Sequence, residues 1–154
     1  MFNIVLFEPE IPPNSGNIIR LCANTGSRLH MIKPLGFELD DKRLRRAGLD
    51  YHEFASVRVY ENYQEYLQAQ QPSVIYACTT KGRQDYSGIQ YQPGDTMLFG
   101  PETRGLPQSI RDGIKPEHNI RIPMLADSRS LNLSNAVSVI LFEAWRQHDF
   151  DGAV

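Results

Sequence analysis

Thr96-Met97-Leu98-Phe99-Gly100-Pro101-Glu102-Thr103-Arg104-Gly105-Leu106-Pro107 holds the unit from which the fold is read. An apolar run of strand length enters a loop with two glycines and two prolines, and a helical pattern follows over 108–114. The order recurs further on. Ile120-Arg121-Ile122 leads through a polar loop into an apolar-periodic helix over 133–147. It is present at the start as well, where residues 2–7 precede Glu8-Pro9-Glu10-Ile11-Pro12-Pro13-Asn14-Ser15-Gly16-Asn17 and a helix to Thr25. Ile18, Leu21, Cys22 and Thr25 share one face of that helix, with Gly26 as its stop.

Further strands are expected at 28–32, 57–60, 74–79, 96–99 and 119–122, and further helices at 41–47, 62–70 and 108–114. Gly48 is placed to stop the first of these helices, and Asn62 with Glu65 resembles a capping box at the second. Alternating strands and helices imply an α/β fold with a mostly parallel sheet flanked by helices. No composition break or repeat divides the 154 residues, so one domain, 1–154, is expected.

Composition narrows the function. No apolar run approaches the roughly 20 residues that span a bilayer, and the first residues lack the basic leader and small-residue cleavage site of a signal peptide. Cys22 and Cys78 form no CxxC pair and the four histidines are scattered, so neither a disulfide framework nor a metal site is expected. A reducing cytoplasm is the expected location. The net charge of −2 means that any RNA surface must be a local patch. GxGxxG and GxxxxGK[ST] are both absent, which excludes the dinucleotide and P-loop readings.

Three segments carry candidate chemistry. In the first, Pro12-Pro13 stiffens the turn, while Asn14, Ser15 or Asn17 is expected to cap the helix. Arg20, near the helix start, is placed to hold an anion jointly with the helix N-terminus. In the second, glycines allow close approach to a ligand, prolines hold one shape, and Glu102 and Arg104 add charge. Such a loop at the carboxyl end of a strand is where open α/β sheets bind ligands. In the third, Asp127-Ser128-Arg129-Ser130-Leu131-Asn132-Leu133-Ser134-Asn135 holds more polar groups than one helix cap requires.

These three ordered segments resemble the signature motifs of the SPOUT methyltransferases. They are most similar to the TrmL (YibK-like) branch, which methylates the ribose 2′-hydroxyl at tRNA position 34, on cytidine or modified uridine. The resemblance extends to Asp40-Asp41-Lys42-Arg43-Leu44-Arg45-Arg46-Ala47-Gly48-Leu49-Asp50-Tyr51-His52-Glu53-Phe54. It implies S-adenosylmethionine as cofactor, a C-terminal trefoil knot, a homodimer, and the anticodon stem-loop of tRNA as partner near the subunit boundary. Carried over by motif, Cys78, Thr79, Gly100, Glu102 through Gly105, Ile122, Ser130 and Leu131 line the cofactor pocket. Arg20 and Glu102 are the catalytic candidates. A guanidinium is not normally deprotonated, which favours Arg20 as phosphate clamp and alkoxide stabiliser over base. Glu102 remains to orient Arg20 or to take the proton. RNA contacts are expected from Asn17, Arg20, Lys42, Arg43, Arg45 and Arg46. On a helix the last four span roughly 160°, with Leu44 opposite.

Two rival classes stand beside this reading. One is a catalytically silent RNA-binding knotted protein, which methyl transfer would exclude. The other is a flavodoxin-like small-molecule domain, which would need neither a basic helix nor a dimer. Along the last helix Leu133, Val137, Ile140, Leu141, Ala144 and Trp145 form the stripe that packs on the sheet. Val139 and Phe142 lie outside it and are expected at a subunit contact.

Overall fold

The computed structural model describes residues Met1–Val154. In chain order the elements are β1 (Asn3–Phe7), α1 (Pro12–Thr25), β2 (Arg28–Ile32), α2 (Asp41–Arg46), α3 (Tyr51–Phe54), β3 (Arg58–Tyr60), α4 (Tyr63–Gln70), β4 (Ile75–Cys78), β5 (Gln84–Asp85), β6 (Thr96–Phe99), α5 (Gln108–Asp112), β7 (Asn119–Arg121) and α6 (Leu133–Arg146). Seven strands form one sheet in the order β3-β2-β1-β6-β4-β7-β5, every neighbouring pair parallel.

Helices cover both faces of this sheet, which is why its central strands are continuously apolar. Successive side chains of β1 and β6 alternate between two clusters. Ile4, Leu6, Met97 and Phe99 join Ile18, Cys22, Val137, Ile140, Leu141 and Ala144 of α1 and α6 on one face. Val5, Phe7 and Leu98 join Tyr60, Tyr66 and Leu106 on the other. Helix α6 packs against α1 with Val137, Ile140, Leu141 and Ala144 buried, while Leu133 and Trp145 are half-buried. Val139 and Phe142 stay exposed, at 37% and 42%.

One expectation needs correction, and two elements appear where none was expected. Helix α1 begins at Pro12, and no side chain of its own first turn caps it. Asn14 and Ser15 are instead buried inside it. Prolines at its first positions bring no N–H groups that would need capping. Strand β5 was not expected, because two polar residues carry no periodicity. Helix α3 was not expected either, since four residues lie below the length at which an apolar stripe is visible. A reciprocal capping box between Asp50 and Glu53 holds it.

At the sheet's far edge, β4 and β5 are consecutive in the chain yet flank β7. The link between them, 79–83, runs hard against β7. Thr79 N–H donates to Ile120 C=O at 2.9 Å and Arg83 N–H to Asn119 C=O at 3.0 Å. A Cβ on Gly82 would stand 2.4 Å from the Ile120 carbonyl carbon.

Candidate active site

The segments that leave the carboxyl ends of β4, β6 and β7 enclose a cavity of about 480 Å³, a size suited to a small-molecule ligand. Cys78, Thr79, Gly100, Glu102, Gly105, Ile122, Ser130 and Leu131 all line it, together with Thr103 and Arg104. Ile11, Asn14 and Asn132 line it too. None of these three is among the residues that the motif resemblance assigns to the pocket, although Asn132 belongs to the third candidate segment.

One hydrogen-bond chain joins the three segments. Glu102 accepts from Glu10 N–H at 2.8 Å, Ile11 N–H at 2.8 Å and Asn14 Nδ2 at 3.1 Å. The carboxylate that serves the start of α1 therefore comes from a residue about ninety positions away. Asn14 Oδ1 in turn accepts from Asn132 Nδ2 at 2.9 Å. Asn132 Oδ1 caps α6, accepting from Ser134 N–H at 2.9 Å and Asn135 N–H at 3.3 Å.

The loop after β6 is clasped in return. Glu10 accepts from Thr103 N–H at 2.9 Å and its hydroxyl at 2.7 Å, and Arg104 Nη2 reaches Glu8 at 3.2 Å. The Thr103 amide, then its hydroxyl, and the Arg104 charge hold the Glu10 carboxyl below its ordinary value.

The two glycines of this loop do different work. A Cβ on Gly100 would lie 2.3 Å from Leu106 N and 2.4 Å from the Gly105 carbonyl carbon, so the loop closes on itself only over a bare Cα. Gly105 has open space around its missing Cβ but sits at φ +69°, a left-handed conformation that favours glycine. Its constraint is the backbone angle, not intrusion on a neighbour. Burial drives the Cys78 thiol far up, so Cys78 serves as apolar wall and not as nucleophile.

Arg20 does not line the cavity. It is the ninth residue of α1, about 12 Å from the helix start at 1.5 Å per residue, so helix N-terminus and guanidinium do not share one anion. Nor does Glu102 orient it. Arg20 Nε donates to Glu53 Oε2 at 2.7 Å and Nη2 to Glu53 Oε1 at 3.3 Å, with Nη2 also donating to the Gly48 carbonyl. Asn17 is exposed on the same helix. All four basic residues of α2 are exposed, but they are not equivalent. Arg43 pairs with Glu38 and Asp40 at 3.2 Å, and Arg45 lies over the Phe54 ring at 6.0 Å. Lys42 and Arg46 form no ion pair. No group of three or more His, Cys, Asp or Glu stands close enough to hold a metal, and no helix is long and apolar enough to cross a membrane.

The family model described as the SpoU rRNA methylase family matches residues 1–142. This chain belongs to that family. Among the relatives of this SpoU-family chain, the tRNA (cytidine(34)-2′-O)-methyltransferase of Escherichia coli strain K12 is 64% identical over 100% of this chain and 98% of its own. A solved structure described as giving insight into "the 2-OH methylation of C/U34 on tRNA" superposes with TM-score 0.88 and 39% identity, covering 97% of each chain. An S-adenosylmethionine-bound rRNA methyltransferase from Sinorhizobium meliloti superposes with TM-score 0.81 and 26% identity, covering 94% of this chain and 56% of its own.

The cavity of this SpoU-family chain suits S-adenosylmethionine by its donor set. Phe99, Leu106, Ile120 and Ile122 offer apolar wall for an adenine ring, while Thr79, Thr80, Ser130 and Asn132 offer polar groups for a ribose and an amino-acid end. The close packing at Gly100 keeps the loop folded against Gly105 and Leu106, and so fixes the shape of this wall of the cavity.

Proposed function

We propose that this protein methylates the ribose 2′-hydroxyl of tRNA position 34, cytidine or modified uridine, with S-adenosylmethionine as donor. The full-length relationship to an enzyme named for C34 2′-O-methylation carries the reading. Bound in the cavity, the cofactor supplies a methyl group on a sulfonium. The residues of this chain must then hold the donor, place the hydroxyl and stabilise the oxygen as its proton leaves.

Donor binding falls to Cys78, Thr79, Gly100, Glu102, Gly105, Ile122, Ser130 and Leu131. Glu102, hydrogen-bonded to three intramolecular donors, braces the loop after β6 against α1 and is not the base. Arg20 serves as phosphate clamp and alkoxide stabiliser. Its pKa is raised first by the hydrogen bond to Glu53 and then by that residue's charge, so it keeps its proton. The proton goes to a phosphate oxygen or to water.

RNA contacts come from Asn17 and Arg20 on α1 and from Lys42, Arg43, Arg45 and Arg46 on α2, which together meet the anticodon stem-loop. The chain acts as one domain, 1–154, in the reducing cytoplasm, where both cysteines stay free. The late strand β7, lying between β4 and β5, supports a C-terminal trefoil knot.

The working unit is a homodimer. Val139 and Phe142 form an exposed apolar edge on α6, the face proposed for the partner subunit, and α6 packs directly against α1, the helix that carries Arg20. Phe142→Lys should yield monomers by light scattering and lose methylation; a wild-type monomer at micromolar concentration overturns this assembly. Labelled methyl transfer to total tRNA, followed by nucleoside mapping, tests the activity. Label on ribose at position 34 is expected, and label on a base or at another position overturns it.

A further inference from the structure

Glu53 belongs to no motif read from the sequence as catalytic, yet it is the one carboxylate on Arg20. Helix α3 is only four residues long, and its capping box fixes Glu53 by a hydrogen bond from Asp50 N–H to Oε1 at 2.8 Å. The same carboxylate meets Arg20 through both oxygens, from Nε at 2.7 Å and Nη2 at 3.3 Å. The second Nη2 proton goes to the Gly48 carbonyl.

A guanidinium has five N–H donors in a rigid plane. Three are thus committed to the α2–α3 segment, and the two on Nη1 have no partner in the protein. The Arg20 side chain is half exposed while that of Glu53 is mostly covered, so the pair presents its arginine outward.

We infer that Glu53 is the positioning residue for Arg20, locking the plane of its guanidinium so that the two Nη1 donors are left for the RNA. The inference rests on the assignment of Arg20 to the methyl acceptor. Because Glu53 cancels the charge of Arg20, the pair contributes direction more than net attraction. Gly48 and Glu53 both come from the segment that follows the basic helix α2. RNA docking on α2 is therefore mechanically linked to the posture of Arg20.

Glu53→Gln is the informative variant, because glutamine keeps the capping box of α3 while weakening the two-point hold on Arg20. The single-turnover methylation rate should fall on the order of 10²-fold, the effect of a small misplacement at a reacting centre. S-adenosylmethionine affinity should be unchanged, and tRNA affinity unchanged or tighter, since Arg20 then carries an uncompensated charge. Adding Glu53→Gln to Arg20→Ala should lower the rate no further than Arg20→Ala alone, because Glu53 acts only through Arg20. An unimpaired Glu53→Gln rate beside an inactive Arg20→Ala overturns the role of Glu53 alone. Full activity of Arg20→Ala overturns the assignment of Arg20, and this inference with it. A further fall in the double variant, or a parallel loss of tRNA affinity and melting temperature in Glu53→Gln, assigns Glu53 a general structural role and also overturns the inference.

Discussion

The side-chain amide of Asn132 donates to the amide oxygen of Asn14 at 2.9 Å, across 118 residues of chain. Asn14 is buried, and its own amide nitrogen points to Glu102. It is therefore donor to one segment of the site and acceptor from another, which aspartate cannot be. Asn14→Asp would set a second carboxylate against Glu102 and leave no donor between them. We expect a loss of about 1–3 kcal/mol in urea denaturation, typical of an unsatisfied buried group. Calorimetry should show S-adenosylmethionine affinity lowered at least about tenfold, the equivalent of 1.4 kcal/mol. Unchanged stability and affinity would show that the chain Glu102–Asn14–Asn132 does not brace the cavity.

The two glycines of the loop after β6 should fail by different margins. Gly100→Ala drives a Cβ into the backbone of residues 105–106, so the loop must open. Gly105→Ala meets no neighbour and carries only the left-handed backbone cost, about 1–2 kcal/mol. Gly100→Ala should abolish cofactor binding in calorimetry, whereas Gly105→Ala should weaken it about tenfold. The reverse ranking would place the critical contact at Gly105.

The sequence carried the sheet further than it carried the site. Parallel strands covered on both faces leave unbroken apolar runs, so β2 and β6 begin and end where their residues suggest. Gln84–Asp85 carry no such mark, because they pair only with β7 at an exposed edge. The cavity wall was legible through motif resemblance, as Gly100, Gly105 and Ser130 illustrate. The partner of Arg20 was not. Glu53 lies 33 positions away on a helix of four residues, and only folding brings them together. Its one local signal was the Asp50-x-x-Glu53 spacing of a capping box. The brace at the start of α1 escaped for a similar reason, since Glu102 binds the Glu10 and Ile11 amides ahead of the helix from a distant loop while Asn14 and Ser15 turn inward.

His30 sits in a donor chain whose directions are mutually fixed. Asn3 Nδ2 donates to Gly94 C=O, leaving Asn3 Oδ1 to accept from His30 Nε2 at 3.1 Å. His30 Nδ1 then accepts from the Tyr60 hydroxyl at 2.9 Å, which itself accepts from Gln70. Burial first, then the charges of Arg58 and Arg28, lower the His30 pKa to about 4 from an ordinary 6.5. Folding thus favours the neutral ring. Stability should be full above pH 6.5 and decline as pH falls from there towards about 4. NMR titration should find His30 neutral at pH 5, and His30→Gln should flatten that part of the stability profile. An ordinary titration near 6.5 would sink this account.

On the basic helix, the unpaired cations should matter most. Each phosphate contact contributes about −0.7 to the slope of log K against log salt for single strands. Lys42→Ala with Arg46→Ala should therefore flatten the tRNA-binding slope by about 1.4 on the same scale. Arg43→Ala should change it less, because Glu38 and Asp40 already neutralise that side chain. Equal effects from all three residues would mean that the Arg43 ion pairs open when RNA docks.

Strand β5 has no sheet neighbour except β7, which is made some thirty residues later. As the ribosome delivers the chain, β5 and the 79–83 link therefore wait without a template. Thr79 and Thr80, one wall of the cavity, acquire their place only when Asn119–Arg121 slide in beside Cys78. The residues that close the opposite wall, Ser130 to Leu133, are later still. A nascent or prematurely terminated chain would thus hold β3, β2, β1, β6 and β4 already in sheet order but lack the walls that β7 and the residues after it complete. Donor affinity depends on residues as late as Ile140 of α6 having joined the fold.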